Sequence, residues 1–419
     1  MSPPEKKRKV EKLFPLGNPS TSCGVEAFDW LISPYSSKDF FEQYWDTSSF
    51  HVSRSDNRDY YEALVPLESA LKKVPSSADP ESFSIEKAEA KFSFLHALVE
   101  RLENFTGMIW KARYTYSKPE VSEWTKPVAD DHDNFVIQIS GSSSFRLTEP
   151  DEPLLVQNDP LLIEGESLQF DDEIKPGDLL YFPRGHGYQF LPSPNSAFVF
   201  LTTAEKETFA DLLSIALPQT LARMVETEHA FRRSMPINWR GKFGRFIGTR
   251  SELDEDGDPT EADKEETKDE IVATVKDLVM AIAESIDLSD LADQLATEFI
   301  AARTPPAPRK TAGKQFGPNP RTNAVTARWR NPGWVRVAEA ETEGSFATLI
   351  FSSVDNKISH HGETLEEEAP LTLEIDGVEK RAAFAELTAT WPEFVGAAGL
   401  GPETTFALWD AGIIETKEV

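Results

Sequence analysis

The sequence predicts a mixed α+β chain centred on a double-stranded β-helix, a jelly-roll barrel. A helical segment and a further mixed unit follow it. Three observations carry this. Residues 135–141 form an apolar strand pattern that ends at Gly141 and resumes at Phe145 after three serines. Residues 175–190 hold a second strand pair: Pro176-Gly177 makes a turn, Asp178 accepts backbone N–H groups there, and residues 179–182 read as a buried strand. Pro183-Arg-Gly185 then re-aims the chain into another strand through Phe190. Two such hairpins facing each other close a jelly roll. Beyond residue 205 the apolar residues recur at three- and four-residue steps, the period of a helix.

Taken in order, residues 1–24 are a polar tail carrying the basic cluster Lys6, Lys7, Arg8 and Lys9. A compact basic run in an acidic chain is the pattern of a nuclear import signal. Residues 28–34 and 39–45 are two short helices by the family resemblance given below, the second carrying Phe40, Phe41, Tyr44 and Trp45 at a spacing that fits a core face. Residues 51–54 read as the first strand, and Asp59 to Glu62 as the opening of a short helix. Residues 67–91 are polar and marked by Pro75 and Pro80, which predicts loops and a trimmed first half of the barrel. Residues 92–104 read as an amphipathic helix and 108–116 as a strand. Trp124 lies in the loop before the first barrel motif, where the family resemblance given below implies a barrel mouth that an indole would plug. Strands are expected at 154–156, 168–170 and 198–203.

The helical pattern covers 208–217 and 221–226, interrupted by Pro218, then 271–286 and 288–300. Between them residues 251–270 carry eleven acidic residues and two lysines, the composition of a solvated loop. Residues 305–322 are a Pro-rich basic linker. In the last unit, residues 334–337, 346–351 and 371–375 read as strands, 382–395 as a helix and 406–411 as a final helix stopped at Gly412. Adjacent His360 and His361 on a strand point to opposite faces, so they form no metal pair.

Composition narrows the function classes. The chain has 419 residues, enough for two or three domains, and 27 Phe and 9 Trp to fill their cores. A net charge of -28 opposes general nucleic-acid binding and favours basic partners. The single cysteine, Cys23, leaves no disulfide framework and no Cys-based zinc site. No apolar run reaches the length of a membrane span, and no secretory signal is expected.

Residues 135–147 and 175–189 resemble the core of JmjC-type 2-oxoglutarate oxygenases, a cupin-like dioxygenase fold. The order of elements over residues 25–415 is similar to that of the ribosomal oxygenases, which hydroxylate histidine or arginine of ribosomal proteins. The resemblance implies a basic tail (1–24), a JmjC-like barrel domain (25–205), a helical dimerisation domain (206–304) with the acidic loop 251–270, the linker 305–322, and a winged-helix-like domain (323–419). Residues 360–363 resemble its wing hairpin. Residues 380–395 hold Lys380 and Arg381 beside Glu386 and Glu393, too few bases for a DNA-reading helix.

The resemblance also implies an iron site of two histidines and one carboxylate. The family's H-x-D falls on Val128, Ala129 and Asp130, and its distal histidine on Tyr188, so only Asp130 is retained. The lysine that anchors 2-oxoglutarate falls on Ser143 and the assisting asparagine near Ala112. A pseudoenzyme is therefore expected, with no catalytic residue, no cofactor and no 2-oxoglutarate site. It would act as a homodimeric nuclear or nucleolar scaffold for basic protein segments, ribosomal or histone. The alternative is an active Fe(II)- and 2-oxoglutarate-dependent enzyme, a histidyl hydroxylase or histone lysine demethylase. Its metal would sit on a displaced set, Asp130, His132 and His186, with Arg146 or Arg113 as the carboxylate anchor. Strand alternation would put those three ligands on one face.

Overall fold

The computed structural model describes residues 24–74, 79, 81–118, 121–148, 168–203, 208–236, 239–242, 261–307, 315–342, 345–363, 371–376 and 380–419. The basic cluster at 6–9, the strand expected at 154–156 and residues 251–260 lie outside them. Packing divides the chain into two compact units, Met1–Glu205 with Leu295–Val419, and Lys206–Gln294. The C-terminal region shares one unit with the β-helix.

The first unit opens with helices α1 (Val25–Ile32) and α2 (Ser37–Gln43). Ser36 starts α2 as an N-cap, its hydroxyl accepting the Asp39 N–H at 3.2 Å. Next come β1 (Phe50–Val52), α3 (Leu67–Leu71), β2 (Ser82–Ile85) and α4 (Ser93–Thr106). The strands that follow are β3 (Trp110–Ser117), β4 (Val128–Ala129), β5 (Asn134–Ser140), β6 (Ser143–Thr148), β7 (Leu168–Ile174), β8 (Leu179–Phe182), β9 (Gly187–Pro192) and β10 (Ser196–Thr203). They make two antiparallel sheets, one of six strands in the order β1-β8-β5-β10-β3-β2 and one of four in the order β4-β9-β6-β7. This is the double-stranded β-helix with helices added on one side, an α+β fold.

The central strands are apolar on both faces, which is why residues 179–182 read as an unbroken run. On one face Phe135, Ile137, Leu179, Tyr181, Val199 and Leu201 pack under the helices with Phe28, Phe40 and Leu98. On the other, Val136, Leu180, Phe182, Phe198 and Phe200 meet Phe145, Leu147 and Tyr188 of the smaller sheet. The turn before β8 works as its sequence suggests. Asp178 accepts the backbone N–H of Arg54 at 2.7 Å and of Lys175 at 3.0 Å, and an Arg58 guanidinium N–H at 2.8 Å. Gly177 has φ +89°, and a Cβ there would lie 2.7 Å from the Asn57 carbonyl, so only glycine fits.

Two local expectations change here. Residues 59–62 are turns rather than a helix, and the polar stretch 67–91 supplies α3 and the edge strand β2, so that side of the barrel keeps its edge. Ser82 to Ile85 pair in register with Ser117 to Tyr114.

The second unit holds α5 (Phe209–Thr227), α6 (Trp239–Lys242) and α7 (Glu261–Glu284), with the start of α8 (Leu288–Ala302). Thr208 and Asp211 form a reciprocal capping box at the head of α5, and the helix runs through Pro218 unbroken. The predicted interruption is therefore absent. The latter half of the acidic stretch 251–270 is the first part of α7 rather than a loop. Ala216, Thr220 and Met224 are the buried face of α5. Phe209, Leu213, Leu217, Leu221 and Val225, four residues apart, are all exposed.

The C-terminal region adds β11 (Val325–Trp329), β12 (Val335–Thr342), β13 (Ser345–Ser352), β14 (Leu371–Asp376), α9 (Arg381–Ala389), β15 (Val395–Gly396), α10 (Pro402–Asp410) and β16 (Ile414–Glu418). They give two three-stranded sheets, β15-β11-β16 and β12-β13-β14, around Trp329, Ile350, Phe384 and Leu408. Helix α9 stops at Ala389, before the predicted end at 395. Residues 358–360 are a 3₁₀ turn, not a wing strand. Among the described residues no helix is long and apolar enough to cross a membrane.

Candidate active-site remnant in the β-helix

The short strand β4 lies antiparallel to β9, with Val128 opposite Tyr188 and Ala129 opposite Gly187. Residues directly opposite on one face have neighbouring Cβ atoms, so Val128 and Tyr188 meet at the positions implied for the two iron-binding imidazoles. Asp130 follows Ala129, and the Gly185 N–H donates to its backbone carbonyl at 2.8 Å. The Tyr188 hydroxyl donates to the Asp130 carboxylate at 2.9 Å. Tyr188 is only 5 % exposed. Burial, then the Asp130 carboxylate, push its hydroxyl well above the ordinary tyrosine range, against the opposing Arg113 guanidinium. It is a neutral donor and not a phenolate.

Around this contact the interior is packed with rings. Tyr188 meets Phe182 with centroids 5.1 Å apart and Phe200 at 5.9 Å. Phe190 meets Phe198 at 5.3 Å and Phe145 at 5.6 Å. Arg113 faces this interior, its guanidinium 4.7 Å from the centre of the Phe200 ring. Its neighbour Ala112 points the other way, into the core beneath the helices. The position implied for the assisting asparagine is thus corrected: the inward residue of this stretch is Arg113. Ser143 is fully buried, its hydroxyl 2.8 Å from that of Ser196, which also accepts the Gln138 side-chain N–H at 2.9 Å.

The residues at the implied Fe(II) positions, and Ser143 at the implied 2-oxoglutarate position, do not fit that role here. Valine has no donor atom, Tyr188 keeps its proton, and Asp130 is engaged by that proton. A serine in the Ser143 place brings no cation to a dicarboxylate. Arg146 is no anchor either. It lies outside the barrel, 4.1 Å over the Trp124 ring and 3.2 Å from Asp171, while its neighbours Phe145 and Leu147 point inward. The same contact removes Trp124 from the mouth, so the expected indole plug is replaced by Tyr188 and the phenylalanines.

The displaced set does not assemble. His132 lies in a bend before β5 and His186 directly after the turn that precedes β9, so strand alternation does not govern them. The His132 Nδ1 lies 2.6 Å from the Asp131 carboxylate. His186 is buried, its backbone N–H donating to the Pro183 carbonyl at 3.3 Å in the turn. Among the described residues no three His, Cys, Asp or Glu side chains gather as a metal requires. Nearby, Asp133 is buried under the Tyr181 hydroxyl at 3.2 Å and the Thr203 hydroxyl at 3.3 Å. Burial and the Asp46 carboxylate push it up to about 6, against the pull of Arg184 and Tyr181. Sequence reading named Arg113 as one of two candidate anchors, and it is the one that faces this interior; it missed Asp133, whose partners Tyr181 and Thr203 are distant in the chain.

Comparison with known proteins gives a consistent answer. The JmjC domain family matches residues 90–211. The chain is 26% identical to the bifunctional lysine-specific demethylase and histidyl-hydroxylase NO66 of Aedes aegypti, over 94% of this chain and 68% of that one. It is 23% identical to ribosomal oxygenase 1 of Danio rerio, over 96% of this chain and 81% of the relative. A solved structure of YcfD, a ribosomal oxygenase from Escherichia coli, in complex with cobalt and 2-oxoglutarate, aligns with a TM-score of 0.45 and 15% identity, over 91% of this chain and 98% of that one. With the JmjC domain match at residues 90–211 and those relatives matched along nearly its whole length, the chain is similar to the ribosomal oxygenases of JmjC type.

Proposed function

We propose that this protein has lost Fe(II)/2-oxoglutarate chemistry and works as a homodimeric nuclear scaffold for basic protein segments, of ribosomal or histone type. One observation carries the reading. Val128 and Tyr188 face each other where two imidazoles would be needed, and the Tyr188 hydroxyl occupies the one remaining ligand, Asp130. Ring packing around them supports the same conclusion, since an oxygenase must keep coordination positions open for co-substrate and oxygen. The net charge of -28 supports a basic partner, and the lysine-arginine run at residues 6–9 supports nuclear import. The exposed apolar stripe on α5 supports a second copy as its cover.

The opposing reading, an active oxygenase, is favoured by the relatives' names, a demethylase and histidyl-hydroxylase in one case and a ribosomal oxygenase in the other. Metal content and 2-oxoglutarate affinity, measured anaerobically on purified protein with Fe(II) supplied, separate the two. The scaffold reading expects neither ligand at stoichiometric level. Near-stoichiometric iron that disappears in Asp130→Ala would overturn it.

A further inference from the structure

A second cluster of titratable side chains lies far from the barrel interior, where the C-terminal region meets the β-helix within the first unit. Its centre is His361, fully buried, with Nδ1 2.9 Å from Glu89 and Nε2 2.7 Å from Glu103. Glu89 belongs to the turn before α4 and also accepts the Ala112 N–H at 3.0 Å. Glu103 lies on α4 and accepts both the N–H and the hydroxyl of Thr304, at 3.0 and 2.5 Å. One turn earlier on α4, Glu100 accepts the Trp334 indole N–H at 2.9 Å and the Ala307 N–H at 3.1 Å. Arg303 is buried between them, 4.0 Å from Glu103 and donating to the carbonyls of Glu100 and Gly333.

The backbone is fitted just as closely. Asn356 donates to the carbonyls of Ile300, Ala301 and Arg303 at the end of α8, and the Gly362 N–H donates to Ala302 O at 2.8 Å. A Cβ on Gly362 would lie 2.8 Å from the Lys111 side chain, and one on Gly333 would lie 2.5 Å from Asn104.

The geometry fixes a proton count. A neutral imidazole has one N–H, so its bare nitrogen would face a carboxylate oxygen with nothing between them. Both contacts of His361 are hydrogen bonds only if the group of Glu89, His361 and Glu103 holds one extra proton. Three buried carboxylates then stand against two cations, His361 and Arg303. Without that proton the imbalance doubles in a site closed to water. The other charges near by are Lys111 of β3 on one side of Gly362, and His360, Glu363 and Lys87 at the rim, where Lys87 pairs with Glu363.

We infer that this cluster is a proton-held latch: the C-terminal region docks on the β-helix with one proton bound between Glu89, His361 and Glu103, and loss of that proton releases it. Burial pulls the imidazole down, but Glu103 and then Glu89 outweigh it and lift His361 to about 9. The latch is therefore closed at neutral pH and opens on the alkaline side. It stands independently of the barrel reading, because none of its groups faces the barrel interior.

Hydrogen exchange of the full chain, read peptide by peptide between pH 6 and 10 and corrected for intrinsic exchange, tests this. Peptides from α4 and residues 353–363 should lose protection together near pH 9. In Glu89→Gln the midpoint should fall by a pH unit or more. In His361→Gln the step should vanish, leaving weak protection at every pH. Imidazole ¹⁵N shifts should show His361 doubly protonated at pH 7.5, a readout that does not depend on any variant folding. A neutral His361 ring at pH 7.5, or equal protection of these peptides at pH 7 and 10, would overturn the latch.

Discussion

Tyr188 is held between groups of opposite sign, the Asp130 carboxylate that it donates to and the Arg113 guanidinium beside it. Removing its hydroxyl in Tyr188→Phe leaves the carboxylate without that donor, which should lower stability by about 1–3 kcal/mol in denaturant titration. The backbone beneath it still has Val128 and residue 188 opposite each other beside Asp130. The double substitution Val128→His with Tyr188→His should therefore gather two imidazoles and one carboxylate. Elemental analysis after Co(II) loading should then find about one metal per chain, lost again when Asp130→Ala is added. No metal in the double variant would mean that the strands, and not only the side chains, have left the ligating geometry. Asp133 gives a pH prediction of definite sign. Its folded value, about 6, lies above the unfolded 3.8, so folding disfavours its ionised form. The stability it allows is fully present below pH 3.8 and is lost as pH rises through about 6. Relative to the native chain, Asp133→Asn should gain stability between pH 4 and 7, by up to about 3 kcal/mol before the lost hydrogen bond is counted. Melting temperatures that stay parallel over that range would rule this out.

At the scale of elements, α5 shows what sequence reading reaches and where it stops. Its apolar period marked a helix, yet Pro218 suggested a break that the structure lacks. Proline removes one N–H and crowds the preceding turn, and the capping box together with burial of Ala216, Thr220 and Met224 outweighs that local penalty. Strand β8 was legible to the residue, because a run apolar on both faces between two turns has few alternatives. Edge strand β2 was not, since its alternating small residues resemble a loop until β3 lies beside them. The candidate site followed the same rule. Val128, Asp130, Ser143 and Tyr188 were named through the family resemblance, counted along the strands, whereas the contacts of Arg113 and Trp124 depend on which face of a strand each side chain takes. The exposed stripe of α5 carries the dimer prediction. Burying a leucine contributes about 1.5–3 kcal/mol, so Leu217→Glu with Leu221→Glu should weaken association at least a hundredfold. Light scattering should show native protein at twice the 46.9 kDa chain mass and the variant at that mass. A native monomer would remove the second copy from the proposed function.

For the molecule as a whole, the long-range ion cluster decides what counts as a domain. Sequence composition placed a linker at 305–322, and its proline content and basic charge gave no sign that its start is docked. In the structure Thr304 and Ala307 donate to Glu103 and Glu100, and the Pro305 carbonyl lies 2.9 Å from the His96 ring. His361 ties the same helix to a segment 258 residues away in the chain, a relation no local pattern can reveal. The energetic consequence has a sign. A histidine raised from 6.5 to about 9 stabilises the fold fully below pH 6.5, and that contribution fades as pH rises through about 9. Its full size is about 3 kcal/mol on the scale of one proton equilibrium. Removing the C-terminal region should therefore do more than remove an accessory. A chain ending at residue 322 keeps Glu89, Glu100 and Glu103 but loses His361 and Trp334, so buried carboxylates are left with Arg303 as their nearby cation. Breaking a buried pair from one side costs about 3–5 kcal/mol, a large share of the stability of an ordinary domain. Calorimetry should find the truncated chain without a cooperative transition, or with one far below that of the full chain. The same truncation carrying Glu89→Gln and Glu103→Gln removes the stranded charges and should recover part of the transition. If the truncated chain melts like the full one, the C-terminal region is an attachment to the β-helix. If neutralising the two carboxylates is what restores it, the region completes the β-helix by supplying its missing charge.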